Sequence, residues 1–371
     1  MNPELLISTR TRSTPFTSRV EACGVTAYTV YNHMLLPAIF RSLEKDYWHL
    51  CEAVQVWDVS CQRQVEITGK DAKKLVQLMT PRDLSIADNG QCFYAPLCDE
   101  TGGMINDPIL IKHSDEHWWL SIADTDVMLW AKGLAVGFGL DAYVSEPEIW
   151  PLAVQGPKSK ELLTKIFGEE NIKMGFFRGR FISYKGNKMF VAKSGWSKQG
   201  GFEIYVNNAE LGTLLWDELF KKGQDLNVAA GCPNLIERIE SGLLSFGGDM
   251  DYNNTPLECG LDQYVNLDGD IDSLSLEALK KRNPKTKLVG LIAKNKLDIK
   301  SRLVYLGKQV LGEITSNVWS PRYSMHLCFA KCKIELLEES QKKHVESSSE
   351  NVEVEITDLP FDFKSLGLLD K

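Results

Sequence analysis

Apolar residues recur along this chain with two spacings, which predict strands and helices in alternation through most of its length and strands thereafter. A spacing of two sets Phe202, Ile204 and Val206 against Glu203 and Tyr205, the pattern of a half-buried strand. Strands are also predicted over 108–112, 117–122, 149–156, 181–184 and 188–192. Helical spacing follows Gly69-Lys70-Asp71-Ala72, with Leu75, Leu78 and Met79 on the apolar face, and returns over 125–136, 158–167 and 209–222. Asn208 is a natural N-cap for the last of these, whose Leu211, Leu214, Leu215 and Leu219 share one face. Pro233 suits the first position of a helix running to Glu240, with Ile236 and Ile239 inward.

Residues 273–286 read as helical and then turn polar at Lys280, Lys281, Arg282 and Pro284. Beyond them lie short β-rich runs at 288–293, 302–305, 309–315 and 324–337, spaced as in an antiparallel barrel or sandwich. Residues 338–350 are charged and serine-rich and read as a solvated loop. The fold class is therefore α+β, with a small all-β C-terminal domain over 276–371 behind a larger α+β region, 1–275.

Composition narrows the function classes. At 371 residues, 43% hydrophobic and 25% charged, the chain is long enough for two or three packed units of an ordinary soluble protein. A net charge of −8 supplies no global basic field, which argues against a nucleic-acid or anionic-membrane partner. No signal-like apolar segment opens the chain and no long apolar run follows. The nine cysteines form no Cys-x-x-Cys, as expected of reduced thiols in a cytoplasmic protein. The six histidines are dispersed, so no metal site is expected. Gly137-Phe-Gly139-Leu-Asp-Ala142 matches a dinucleotide fingerprint formally, but it follows a helix where the fingerprint must open one.

The chemistry concentrates in a few segments. Lys193-Ser-Gly-Trp-Ser-Lys-Gln-Gly-Gly-Phe-Glu-Ile-Tyr-Val206 is a glycine-rich turn feeding a strand, with Trp196, Glu203 and Tyr205 as a carboxylate among aromatic walls. Gly102-Gly103-Met-Ile-Asn106-Asp107-Pro108 is a tight turn in which Asp107 either closes the turn or lines a site. Arg238 and Glu240 read either as a helix-end ion pair or as site residues. Gly312–Pro321, carrying Trp319, reads as a barrel turn or as a loop over a site. Tyr94 divides between core and ligand contact, and Trp118 and Trp119, adjacent on a strand, face opposite sides.

Together these motifs resemble the glycine-cleavage T-protein (aminomethyltransferase) family across essentially the whole chain. Gly195, Gly201, Phe202, Glu203 and Ile204 match its G-Y-T-G-E-D-G-F-E-I segment, with Trp196 in place of tyrosine. Asp107 matches the last residue of G-G-x-x-x-D, but Asn106 replaces one carboxylate of the usual D-D-L. Arg238, Glu240, Gly242, Asp249, Asp251, Thr255, Pro256 and Glu258 match a second block, whose first arginine is Asn234 here. The resemblance implies a three-lobed α+β fold that binds tetrahydrofolate, with two interleaved α+β subdomains over 1–275 and a C-terminal antiparallel β-barrel domain over 276–371. It implies folate contacts at Glu203, Tyr94, Tyr205 and Arg238, and a catalytic position at Asp107. The departures resemble a sulfonium-demethylating branch of the family. They imply dimethylsulfoniopropionate as a small-molecule substrate, held by Trp196, Tyr205, Ser121 and Trp319, with tetrahydrofolate as methyl acceptor. Aminomethyl transfer in glycine cleavage, and folate binding without turnover, remain open at this point, as does the oligomeric state, a homodimer included.

Overall fold

In the computed structural model, which describes residues 7–347 and 351–365, the chain divides into two units that share the sequence in alternation. The first takes the chain up to Lys73, then Ala87–Phe93 and Pro108–Asn234. The second takes Lys74–Ile86, Tyr94–Asp107 and everything from Leu235.

The first unit is built on a six-stranded sheet. Its order is Gly179–Tyr184, Asn187–Ala192, Gly201–Val206, Trp150–Gln155, Val54–Asp58 and Val228–Gly231, antiparallel except for the last pair. Phe202, Ile204 and Val206 enter the main core with Val54, Leu152, Leu215 and Trp216. The helix Ala209–Lys222 covers them, and its N-cap Asn208 accepts from the Leu211 amide at 3.0 Å, as the sequence predicts. Its buried stripe is Gly212, Leu215, Trp216 and Leu219, a clean i, i+3, i+4, i+7 face. Leu214 falls outside that stripe and is 49% exposed, contrary to the predicted face.

The strand Gly201–Val206 also departs from the half-buried pattern, because Glu203 and Tyr205 are buried as well. Trp119, Phe190, Ile149, Ile111 and Cys92 form the apolar cluster around Tyr205. Trp119 comes from a second sheet, ordered Tyr143–Ser145, Gln64–Thr68, His117–Ser121, Ile109–Ser114 and Cys92–Tyr94. Period-two alternation says that the two faces differ in polarity, and a polar face can still be covered when another layer packs on it.

The second unit carries a closed six-stranded antiparallel barrel. Around it run Thr286–Ala293, Met325–Lys333, Gln309–Ser320, Ile299–Leu306, Lys343–Ser347 and Asn351–Thr357, which pairs back with the first. Two predicted features are corrected here. Gly312–Pro321 is no turn: Gln309–Ser320 is one long strand, irregular between Ile314 and Ser316. Residues 338–350 are no loop throughout: Lys343–Ser347 is a barrel strand whose Val345 is fully buried. With a single apolar residue in five, its pattern is set by the neighbouring strands. Positions 348–350 lie outside the described residues.

Candidate active site

Glu203 stands mid-strand, 6% exposed, with Ala153 and Ala192 as its cross-strand neighbours. These small side chains leave the carboxylate unscreened along the strand-to-strand direction. The Ser194 hydroxyl donates to Glu203 Oε2 at 2.5 Å. Burial raises the Glu203 pKa, and the Ser194 hydrogen bond opposes the rise.

Two residues on, Tyr205 presents its ring to Trp119 and Phe190, with centroids 5.9 and 5.8 Å away. Its hydroxyl is buried close to Ser121 and Glu203 but makes no hydrogen bond of good geometry to either, so a ligand can satisfy it. Burial and the charge of Glu203 hold the phenol well above its ordinary pKa, so it stays a donor. Ser121, which neighbours that hydroxyl, accepts from Gln64 Nε2 at 3.0 Å. The Gln64 Oε1 atom is a second buried polar atom with no partner. Trp119 is fixed by its indole N–H, which donates to Glu66 Oε1 at 2.9 Å. Trp196 is half-buried in the glycine-rich loop.

A second constellation lies in the other unit. Tyr94 Oη donates to Asp107 Oδ2 at 2.9 Å, and Tyr264 meets the Tyr94 ring edge-on at 5.0 Å. Arg82 lies 5.1 Å over Tyr264 and donates to the Tyr94 carbonyl. Burial first, with a contribution from the Asp249 charge, pushes the Asp107 pKa up to about 7, against the lowering pull of Tyr94. A carboxyl poised there can give or take a proton near neutrality.

Arg238 is not paired with Glu240. Its guanidinium donates to Asp249 Oδ2 and to Ser316 Oγ, each at 2.5 Å, and to the Leu243 carbonyl at 3.1 Å. Glu240 accepts from Ser320. Thr315 and Ser316 both donate to Asp249 Oδ1, at 2.7 and 2.6 Å. Trp319 is half-buried farther along that strand. Asn234, where the family pattern has arginine, is 3% exposed and donates to the Leu43 carbonyl at 2.9 Å.

Of the residues singled out in the sequence, Glu203, Tyr205 and Ser121 come together in the first unit. Tyr94 and Asp107 pair in the second, and Arg238 sits in a polar cluster of that unit whose Asp249 also acts on Asp107. Sequence reasoning missed Ser194, Gln64, Tyr264 and Arg82. Ser194 lay inside a recognised motif, whereas Tyr264 sits in a short helical turn, Asp262–Tyr264, that no periodicity announces.

Comparison with known proteins accounts for this arrangement. Residues 16–269 match the family model described as the GCVT N-terminal domain. Dimethylsulfoniopropionate demethylase DmdA of Ruegeria pomeroyi is 47% identical over 324 residues, covering 86% of this chain and 89% of that protein. An aminomethyltransferase of Clostridium botulinum is 30% identical over 298 residues, 77% of this chain and 80% of that one. The glycine cleavage system aminomethyltransferase T from Bartonella henselae shares the fold, with a TM-score of 0.83 at 20% identity over 94% of this chain and 98% of that one. A family match over residues 16–269, which span the strand with Glu203 and the turn with Asp107, together with 47% identity to a relative covered over most of its length, means that this protein belongs to the GCVT aminomethyltransferase family.

Proposed function

We propose that the protein is a methyltransferase that demethylates dimethylsulfoniopropionate, with tetrahydrofolate as methyl acceptor, to give methylmercaptopropionate and 5-methyltetrahydrofolate. The observation that carries the choice of donor is the 47% identity to a demethylase of that substrate, against 30% to an aminomethyltransferase. The folate amine supplies the lone pair that forms the new N–C bond, while the C–S bond breaks and its electron pair leaves on sulfur as a neutral thioether. The departing sulfur needs no acid, but the amine must shed a proton.

The residues fit these demands. A charged Glu203 between two alanines can accept paired hydrogen bonds from an NH-rich pterin edge. Tyr205 offers its hydroxyl from the same face. We assign the sulfonium substrate to Trp196, Tyr205 and Ser121, because an indole face attracts a cation by about 0.5–2 kcal/mol and the hydroxyls suit a carboxylate. Tyr94 and Asp107 form the acid–base pair, Asp107 taking the amine proton. Arg238 supports the folate side by holding Ser316 directly and Thr315 through Asp249.

No helix among the described residues is long and apolar enough to cross a membrane. Nine free cysteines, most of them buried, suit a reducing compartment, and we place the enzyme in the cytoplasm. Incubation of the protein with dimethylsulfoniopropionate and tetrahydrofolate under reducing conditions should yield both products. Absence of 5-methyltetrahydrofolate sinks the proposal, and turnover of an aminomethyl-lipoyl carrier in its place would assign glycine cleavage.

A further inference from the structure

We propose that Gln155 is a positioning residue that sets the glycine-rich loop and through it Trp196, an inference that rests on the sulfonium-binding role given to that tryptophan. Gln155 ends the strand Trp150–Gln155, is fully buried, and lies opposite Gly201 in the sheet. Its Nε2 donates to the Ser194 carbonyl at 3.1 Å and, more weakly, to the Phe202 carbonyl at 3.4 Å. Its Oε1 accepts from the Ser197 hydroxyl at 2.9 Å. One amide thus binds the start, the interior and the end of the loop that carries Trp196. A fourth tie, the Gly156 amide to the Gly200 carbonyl at 2.8 Å, comes from the next residue.

The two glycines at the ends of this loop are explained by the same side chain. A Cβ at Gly195 or at Gly201 would fall onto the Gln155 amide. Gly195 also has a φ of +146°, which side-chain-bearing residues rarely adopt. The amide occupies the room that the glycines leave, so glutamine and glycines form one unit. Ser194, whose carbonyl Gln155 holds, is also the residue whose hydroxyl donates to Glu203. Gln155 touches neither substrate in this reading. It fixes the loop so that the indole and the carboxylate keep their places, as a site's supporting residues must.

The test replaces Gln155 with methionine, which keeps length and burial but forms none of these bonds. Gln155→Met should raise KM for dimethylsulfoniopropionate on the order of ten- to a hundredfold, the scale on which small misplacements act, with kcat at saturation much less affected. In a Trp196→Ala background the same change should add nothing to KM, since the residue through which it acts is gone. With 5-fluorotryptophan incorporated, the Trp196 fluorine resonance, assigned by its loss in Trp196→Ala, should shift or broaden in Gln155→Met while the other tryptophan signals stay. An unmoved Trp196 resonance, or KM effects that add independently, overturns the proposal. If Gln155→Met does not fold, Ser197→Ala removes one tie alone and should shift the same resonance; an unchanged signal overturns the proposal as well. If Trp196→Ala leaves KM for the donor unchanged while Gln155→Met still moves the resonance, the sulfonium assignment falls and the positioning role stands.

Discussion

Glu203 and Asp107 are both surrounded by enough protein for desolvation to raise their pKa, and each accepts one hydroxyl hydrogen bond, from Ser194 and from Tyr94. They differ in what else is near. Glu203 has alanines on both sides and, on its own strand face, a phenol that makes no hydrogen bond of good geometry. Asp107 has a second carboxylate, Asp249, whose charge raises its pKa further. An unscreened carboxylate that gains N–H donors on ligand binding is held charged by its ligand. A carboxyl that feels a like charge is poised to exchange its proton. In the proposed reaction the same functional group serves as a binding anchor in one unit and as an acid–base group in the other, with the neighbours deciding which.

The sharpest break of this comparison is Asp107→Asn. Loss of a positioned proton acceptor should lower kcat about a hundredfold or more at neutral pH. The wild-type rate should rise with pH through about 7 as Asp107 ionises, and that limb should vanish in the variant. Stability provides an independent readout. The folded state holds the Asp107 proton more tightly than the unfolded chain, so wild-type stability falls as pH rises from the ordinary value of 3.8 to about 7. Asp107→Asn should therefore gain melting temperature relative to wild type across that window and keep the gain above it. A kcat limb that survives the substitution removes Asp107 from proton transfer.

Glu203→Gln should weaken tetrahydrofolate binding by roughly ten- to a hundredfold, the loss expected when charge-assisted hydrogen bonds become neutral ones. Titration calorimetry reads it directly, and unchanged affinity takes Glu203 out of the pterin site. Tyr94→Phe deletes the bond that lowers the Asp107 pKa, so the kcat limb should move to higher pH by about one unit. A shift to lower pH would contradict the Tyr94–Asp107 pairing. Smallest is Ser194→Ala, which should cost roughly fivefold in folate affinity, the scale of one net hydrogen bond. Its loss should grow as pH falls, because Glu203 then protonates more easily.

The parts of the site that were legible in the sequence are those where local pattern and chemistry coincide. Alternation placed Glu203 and Tyr205 on one strand face, and a glycine turn marked Asp107. The partners were not legible, because Tyr264, Arg82 and Gln64 meet their neighbours through tertiary packing at separations that no local pattern encodes. The same holds for the fold. Asn208 capped its helix as read, since a cap is a local event. The strand Lys343–Ser347 went unread because its partners, Ile299–Leu306 and Asn351–Thr357, and not its own composition, make it a strand. Leu214 was misplaced because three leucines near the right spacing masked the part that Gly212 and Trp216 take in the stripe.

The alternation of the two units along the chain has a consequence for how the protein is made. Residues Lys74–Ile86 and Tyr94–Asp107 leave the ribosome early, yet their backbone partners in the second unit come much later. Asn266 N–H bonds to the Pro81 carbonyl, Leu274 N–H to the Leu78 carbonyl and Met104 N–H to the Asn254 carbonyl. Asp107, with Asp249 tuning it, waits on the same late segment. Synthesis through Asn234 completes the sequence of the first unit while these two excursions still lack their partners at Asn254, Asn266 and Leu274, so nascent chains pass through a stage in which the second unit is incomplete. Slow elongation beyond Asn234, or truncation shortly after it, would prolong that stage and favour aggregation over a half-active enzyme.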